Sequence, residues 1–113
     1  MKNPVIVEAL RTPIGRARKG SLVNTDAFAL ARVVVGAVVE RSKIAPTEID
    51  DIVIAESLQG GGVIARHTAV MLGLEHIPGL ATNRHCAAGR YSRPVPGGSG
   101  EHAADRERRI VSA

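Results

Sequence analysis

Ile52-Val53-Ile54-Ala55, then Gly60-Gly61-Gly62, then Ile64 through Leu72 to Gly73, then Pro78-Gly79 and Leu80-Ala81-Thr82-Asn83: this stretch decides the fold. The first run holds three β-branched aliphatics and no polar residue, which reads as a strand buried on both faces. Three glycines break the chain after it. Ile64 to Leu72 carries helical spacing and stops at Gly73, a residue suited to a helix C-terminus. Pro78-Gly79 turns the chain into a third short strand. Strand–helix–strand over so few residues implies parallel pairing with a covering helix.

Upstream, Asn24, Thr25 and Asp26 offer an N-cap, and Ala27, Leu30, Val34 and Val38 recur at helical spacing behind them. The Val33-Val34-Val35 run works against that helix, because β-branched side chains lose χ1 freedom there. Pro46-Thr47-Glu48 reads as a short helical turn. Further back, Val5-Ile6-Val7 reads as a first strand, ended by the breaker segment Arg11-Thr12-Pro13-Ile14-Gly15. The expected order is β-α-β-α-β, an α/β layered fold on a parallel sheet. A three-strand parallel fragment leaves an edge and an apolar face open, so self-association is expected.

The character changes after Gly89. Residues 90–113 contain Pro94, Pro96, Gly97, Gly98 and Gly100, and their only aliphatics larger than Ala are Val95, Ile110 and Val111. No period of 2 or 3.6 survives. Such a segment buries too little apolar area to offset its ordering entropy and is read as irregular or disordered. The organisation is therefore one α/β unit over residues 1–89 and an Arg/Pro/Gly-rich tail over residues 90–113.

Composition excludes several functions. The 113 residues are 44% apolar and 23% charged, ordinary for one globular domain. Phe28 and Tyr91 are the whole aromatic set, so base-stacking single-strand binders and aromatic RNA readers are not expected. The longest apolar run, Val33 to Val39 counting Gly36, is far short of the roughly 20 residues a membrane helix needs. Met1-Lys2-Asn3-Pro4 leads into a strand-like run and a charge rather than a signal core, so the cytosol is the simplest compartment. Net charge is +4, which a solvated surface explains without nucleic acid. In the tail, Arg106, Arg108 and Arg109 are interleaved with Glu101, Asp105 and Glu107, whereas a nucleic-acid arm normally has unmixed sign.

Cys86, the single cysteine, is the first candidate for chemistry. It follows a strand and precedes Ala87-Ala88-Gly89, small residues at an expected helix start. Unsatisfied backbone N–H groups and the positive end of a helix dipole there would favour thiolate. Against this stands the ordinary role of a lone cysteine as a small buried hydrophobe. His85 is adjacent, but neighbours in extended backbone point to opposite faces, so it is a poor general base for Cys86. His67, His76 and His102 lack metal-ligand spacing, and no metal site is expected. Gly60-x-Gly62-x-x-Ala65 fits a dinucleotide fingerprint, but the acidic residue required about 20 positions on is missing at Thr82-Asn83-Arg84. A plain strand-to-helix turn accounts for it better.

Four segments in order resemble the thiolases. They are Val5-Ile6-Val7-Glu8-Ala9-Leu10-Arg11-Thr12-Pro13-Ile14-Gly15-Arg16 with Gly20-Ser21-Leu22; Ile49-Asp50-Asp51-Ile52-Val53-Ile54; Gly62-Val63-Ile64-Ala65-Arg66 through Leu72-Gly73-Leu74; and Pro78-Gly79 with Asn83-Arg84-His85-Cys86-Ala87-Ala88-Gly89. The resemblance covers residues 4 to 89. It implies the first half of a thiolase amino-terminal domain, from a homo-oligomeric family of acyl-CoA C-acyltransferases. These enzymes cleave 3-oxoacyl-CoA with coenzyme A or condense acetyl-CoA. Cys86 would be the nucleophile that takes the acyl group as a thioester. Coenzyme A thioesters would be substrates, with no bound cofactor.

The chain departs from that pattern. The family's Gly-His-Pro segment, which activates the nucleophile, and its Cys-x-Gly segment, which works as acid/base at the α-carbon, have no counterpart here. The expectation is a truncated amino-terminal piece that lacks turnover alone. A frameshift would explain the tail: Arg90 to Pro96 back-translated and read one base later permits Thr-Ala-Val-Gln-Ser, and continuing through Gly97 to Glu101 permits Leu-Ala-Ala-Ala-Gly-Ser. The alternative class is a non-enzymatic α/β module whose basic tail binds a protein or an anion.

Overall fold

A computed structural model describes residues 5–91 and 110–112. Helix α1 spans Ala27–Ser42, strand β1 Asp51–Glu56, helix α2 Ile64–Met71, strand β2 Gly79–Asn83, helix α3 Ala88–Tyr91 and strand β3 Ile110–Ser112. Short 3-10 turns lie at Pro46–Glu48 and His85–Ala87. The sheet is parallel throughout, in the order β2-β1-β3. The expected α/β layering is observed.

Each helix end has a local cause. Asp26 caps α1 by accepting from the Ala29 N–H at 2.7 Å. The helix closes at Lys43, whose φ of 59° is left-handed. There Ser42 Oγ donates to the Val39 carbonyl and accepts from Ile44 N–H. The buried stripe of α1 runs through Ala31 and Val35, with Ala27, Phe28, Val38 and Val39 packed beside them. Of the residues whose spacing marked this helix, Ala27 and Val38 pack on the core, and Leu30 and Val34 are half-buried beside the stripe. The stripes through Ala31 and Leu30 both have helical spacing, and contact with the sheet selects between them. α2 ends in Leu72 and Gly73, whose φ of 72° suits glycine.

The core centres on β1. Ile52, Val53 and Ile54 are all buried in succession, as a strand covered on both faces requires. Around them pack Val35, Ile64, Ala65, Ala69, Leu74, Ile77 and Val111. β2 enters very close to α2: a Cβ on Gly79 would lie 2.6 Å from the Arg66 backbone nitrogen. Arg66 in turn donates through Nη1 to the carbonyls of Glu75 and Ile77, both at 3.0 Å, and so fixes the α2–β2 connection. The Phe28 and His67 rings meet edge-on at 4.5 Å, joining α1 to α2.

Two expectations need correcting. Val5-Ile6-Val7 is not a strand: the three residues are irregular and 80%, 79% and 62% exposed. β propensity alone does not make a strand without a paired edge, and the edge of β1 opposite β2 is held by β3. The irregular tail holds neither at its start nor near its end. Arg90 and Tyr91 lie in α3, and Ile110–Ser112 pair with Asp51–Val53. Val111 is buried there in the core cluster. The rest of that expectation, residues 92–109, lies outside the described residues.

Candidate active site

Cys86 sits where β1 and β2 end. β2 stops at Asn83, and the chain turns through Arg84 into the His85–Ala87 turn and then α3. Asn83 shapes this turn twice over. Its Oδ1 accepts from the His85 N–H at 3.0 Å, an Asx-type turn. Its Nδ2 donates to the Ser57 carbonyl at 2.7 Å and ties the turn to the end of β1. His85 takes a left-handed φ of 49°, a strain of roughly 1 kcal/mol for a residue with a Cβ. Ala88, buried at 3% exposure, closes the turn.

The Cys86 side chain is exposed. It is therefore not the buried small hydrophobe that was its alternative reading. The small neighbours leave room around it: a Cβ on Gly89 would meet nothing within 4 Å. The helix-dipole argument is weaker than expected, because α3 has four residues in the described part. The Ala87 N–H donates to the Arg84 carbonyl and the Ala88 N–H to that of His85. These two amides are therefore engaged within the turn, not turned toward a substrate carbonyl.

A cavity of about 220 Å3 opens beside the turn, lined by Glu56, Ser57, Gln59 and His85 with the small residues Ala88 and Gly89. His85 lines this cavity, and it lies in a 3-10 turn with Cys86 rather than in the extended backbone expected of the pair. Sequence reasoning missed Glu56. The residue is 8% exposed, and its Oε1 accepts from the Gly62 N–H at 2.6 Å. Oε2 is buried without a hydrogen-bond partner and lies where a Cβ on Gly60 would fall. The Gly60–Gly62 loop, all at positive φ, is thus folded onto its own chain's carboxylate. The Gly62 N–H that a phosphate would need is already taken by Glu56, which favours the plain strand-to-helix turn over the dinucleotide reading. The only sequence signal for Glu56 was an acid directly after the apolar run Ile52–Ala55.

The other histidines go elsewhere. His67 packs on Phe28, the His76 ring pairs with the Pro46 carbonyl at 3.1 Å, and His102 lies outside the described residues. Among the described residues no cluster of His, Cys, Asp and Glu could hold a metal ion, and no helix is long and apolar enough to cross a membrane.

A family model described as the thiolase N-terminal domain matches residues 4–92. The chain belongs to the thiolase family. It is 34% identical over 93 residues to a 3-ketoacyl-CoA thiolase of Pseudoalteromonas translucida, covering 78% of this chain and 24% of that relative. It is 39% identical over 95 residues to an acetyl-CoA acetyltransferase of Escherichia coli, covering 81% and 24% respectively. The crystal structure of a Bacillus anthracis acetyl-CoA acetyltransferase superimposes with a TM-score of 0.70 at 30% identity, over 78% of this chain and 23% of that one. This thiolase chain therefore spans about a quarter of the length of the curated relatives it matches. The matched region includes the Asn83–Gly89 turn and stops close to where the Arg/Pro/Gly-rich segment begins.

Proposed function

We propose that Cys86 is the acyl-accepting nucleophile of a thiolase, acting in acyl transfer between coenzyme A thioesters. The observation that carries this reading is an exposed thiol on a strained turn that Asn83 staples to the end of β1. In the proposed step the Cys86 thiolate attacks the carbonyl carbon of an acyl-CoA. A bond forms between Sγ and that carbon, and the carbon–sulfur bond to coenzyme A breaks. The coenzyme A thiolate leaves and takes a proton from solvent. The acyl group then rests on Cys86 as a thioester, which stays reactive toward the next thiol or carbanion. In the complete cycle this serves thiolytic cleavage of a 3-oxoacyl-CoA or condensation of acetyl-CoA.

The 113 residues do not contain the second half of that chemistry. Cys86 is the single cysteine, and the chain has no Gly-His-Pro segment. Proton transfer at the α-carbon then has no agent, and such groups are typically worth about 10²–10⁴-fold each. The chain alone is proposed to take up an acyl group slowly and not to turn over. Purified protein incubated with acetyl-CoA and examined by intact mass should gain one acetyl group, lost on Cys86→Ser. Acetoacetyl-CoA with coenzyme A should give no cleavage above background. Acetylation that survives Cys86→Ser, or turnover at ordinary enzyme rates, overturns the assignment.

A further inference from the structure

The edge of β1 opposite β2 is a slot with two candidate occupants in the same chain. β3 fills it with Ile110, Val111 and Ser112, pairs only Asp51–Val53 and stops there. Among the described residues no strand lies beside Ile54–Glu56 on that edge. Meanwhile Val5-Ile6-Val7, three consecutive β-branched aliphatics, stand 80%, 79% and 62% exposed. That run is the stronger strand former of the two, because Ser112 adds little to a pleated apolar surface.

Topology also favours it. A strand at residues 5–7 would reach β1 through α1, a strand–helix–strand connection that sets the two strands parallel. The ends of the geometry are already in place. Glu8 is 3.6 Å from Arg41 Nε in the last turn of α1, so the residue after the run is held against that helix. α1 itself touches β3. The exposed run therefore lies beside the helix that packs on the strand it would replace.

We propose that Val5–Val7 and Ile110–Ser112 are alternative strands for one edge of β1, and that the chain exchanges them. The exchange moves one parallel ladder from the tail to the amino-terminal segment. It buries side chains now in water, and it leaves β1, β2 and the Cys86 turn unchanged.

The test is amide hydrogen exchange on the full chain, with and without Val111→Asp. That variant places a carboxylate at a buried position of β3. The amides of residues 5–7 should exchange about tenfold more slowly in the variant. Unchanged exchange at residues 5–7, with β1 and β2 still protected, overturns the proposal. If the variant loses β1 and β2 protection, Ile6→Asp decides. Ile6 is 79% exposed, so this change costs nothing if residues 5–7 never enter the sheet. With exchange, removing the competitor should slow amide exchange at residues 110–112 several-fold; an unchanged rate there overturns the proposal.

Discussion

Asn83 Nδ2 lies 2.7 Å from the carbonyl oxygen of Ser57, and this hydrogen bond joins the ends of β1 and β2 at the turn that carries Cys86. The same side chain accepts from the His85 N–H. One residue therefore sets both the position of the turn and its internal shape. Asn83→Ala removes both bonds. At about 1 kcal/mol net for each hydrogen bond, a loss of about 1–2 kcal/mol in urea-induced unfolding is expected. A variant with unchanged stability would mean that the staple carries no energy.

Cys86 is exposed in the folded chain. Iodoacetamide should therefore label it in native buffer at a rate comparable to that in urea, read as one added carbamidomethyl group by mass. A native rate slowed by orders of magnitude would place the sulfur out of solvent and remove the basis for acyl capture.

Thr68 is fully buried in α2, and its hydroxyl lacks a hydrogen-bond partner. Thr68→Val keeps the shape and removes the unpaired polar group. A gain of about 1 kcal/mol is expected, measured by the shift in urea midpoint at constant slope. Destabilisation would show that the hydroxyl is satisfied in solution.

Gly79 is close to irreplaceable, because its Cβ position is 2.6 Å from the Arg66 nitrogen and 2.7 Å from the Ala65 carbonyl carbon, both backbone atoms. Neither can swing aside as a side chain would. Gly79→Ala should cost about 1–3 kcal/mol by forcing β2 away from α2. A tolerated alanine, judged by an unchanged melt, would refute that close approach.

The tail has a genetic test. If residues 90–113 arise from a shifted reading frame, sequencing across codon 90 should reveal a single-base difference. Restoring it should give a small-residue apolar continuation after Cys86-Ala87-Ala88-Gly89. A clean frame with no such continuation in any phase ends the frameshift reading.

The strand–helix–strand from Asp51 to Asn83 was legible in the sequence, as were the Asp26 cap and the Pro46–Glu48 turn, and the structure adds that the candidate Cys86 is exposed. Local chemistry fixes these features: hydrophobic period, capping side chains, glycines at positive φ and small residues around a thiol. Three things waited for the tertiary structure. Which face of α1 is buried depends on the sheet it meets, because the stripes through Ala31 and Leu30 are both helical. Whether Val5–Val7 is a strand depends on who holds the edge of β1, and three exposed aliphatics cannot pair with water. The Glu56–Gly62 and Asn83–Ser57 contacts hold the site together across 6 and 26 residues of chain. A sequence read one neighbourhood at a time does not contain such contacts, because folding alone brings their partners within reach.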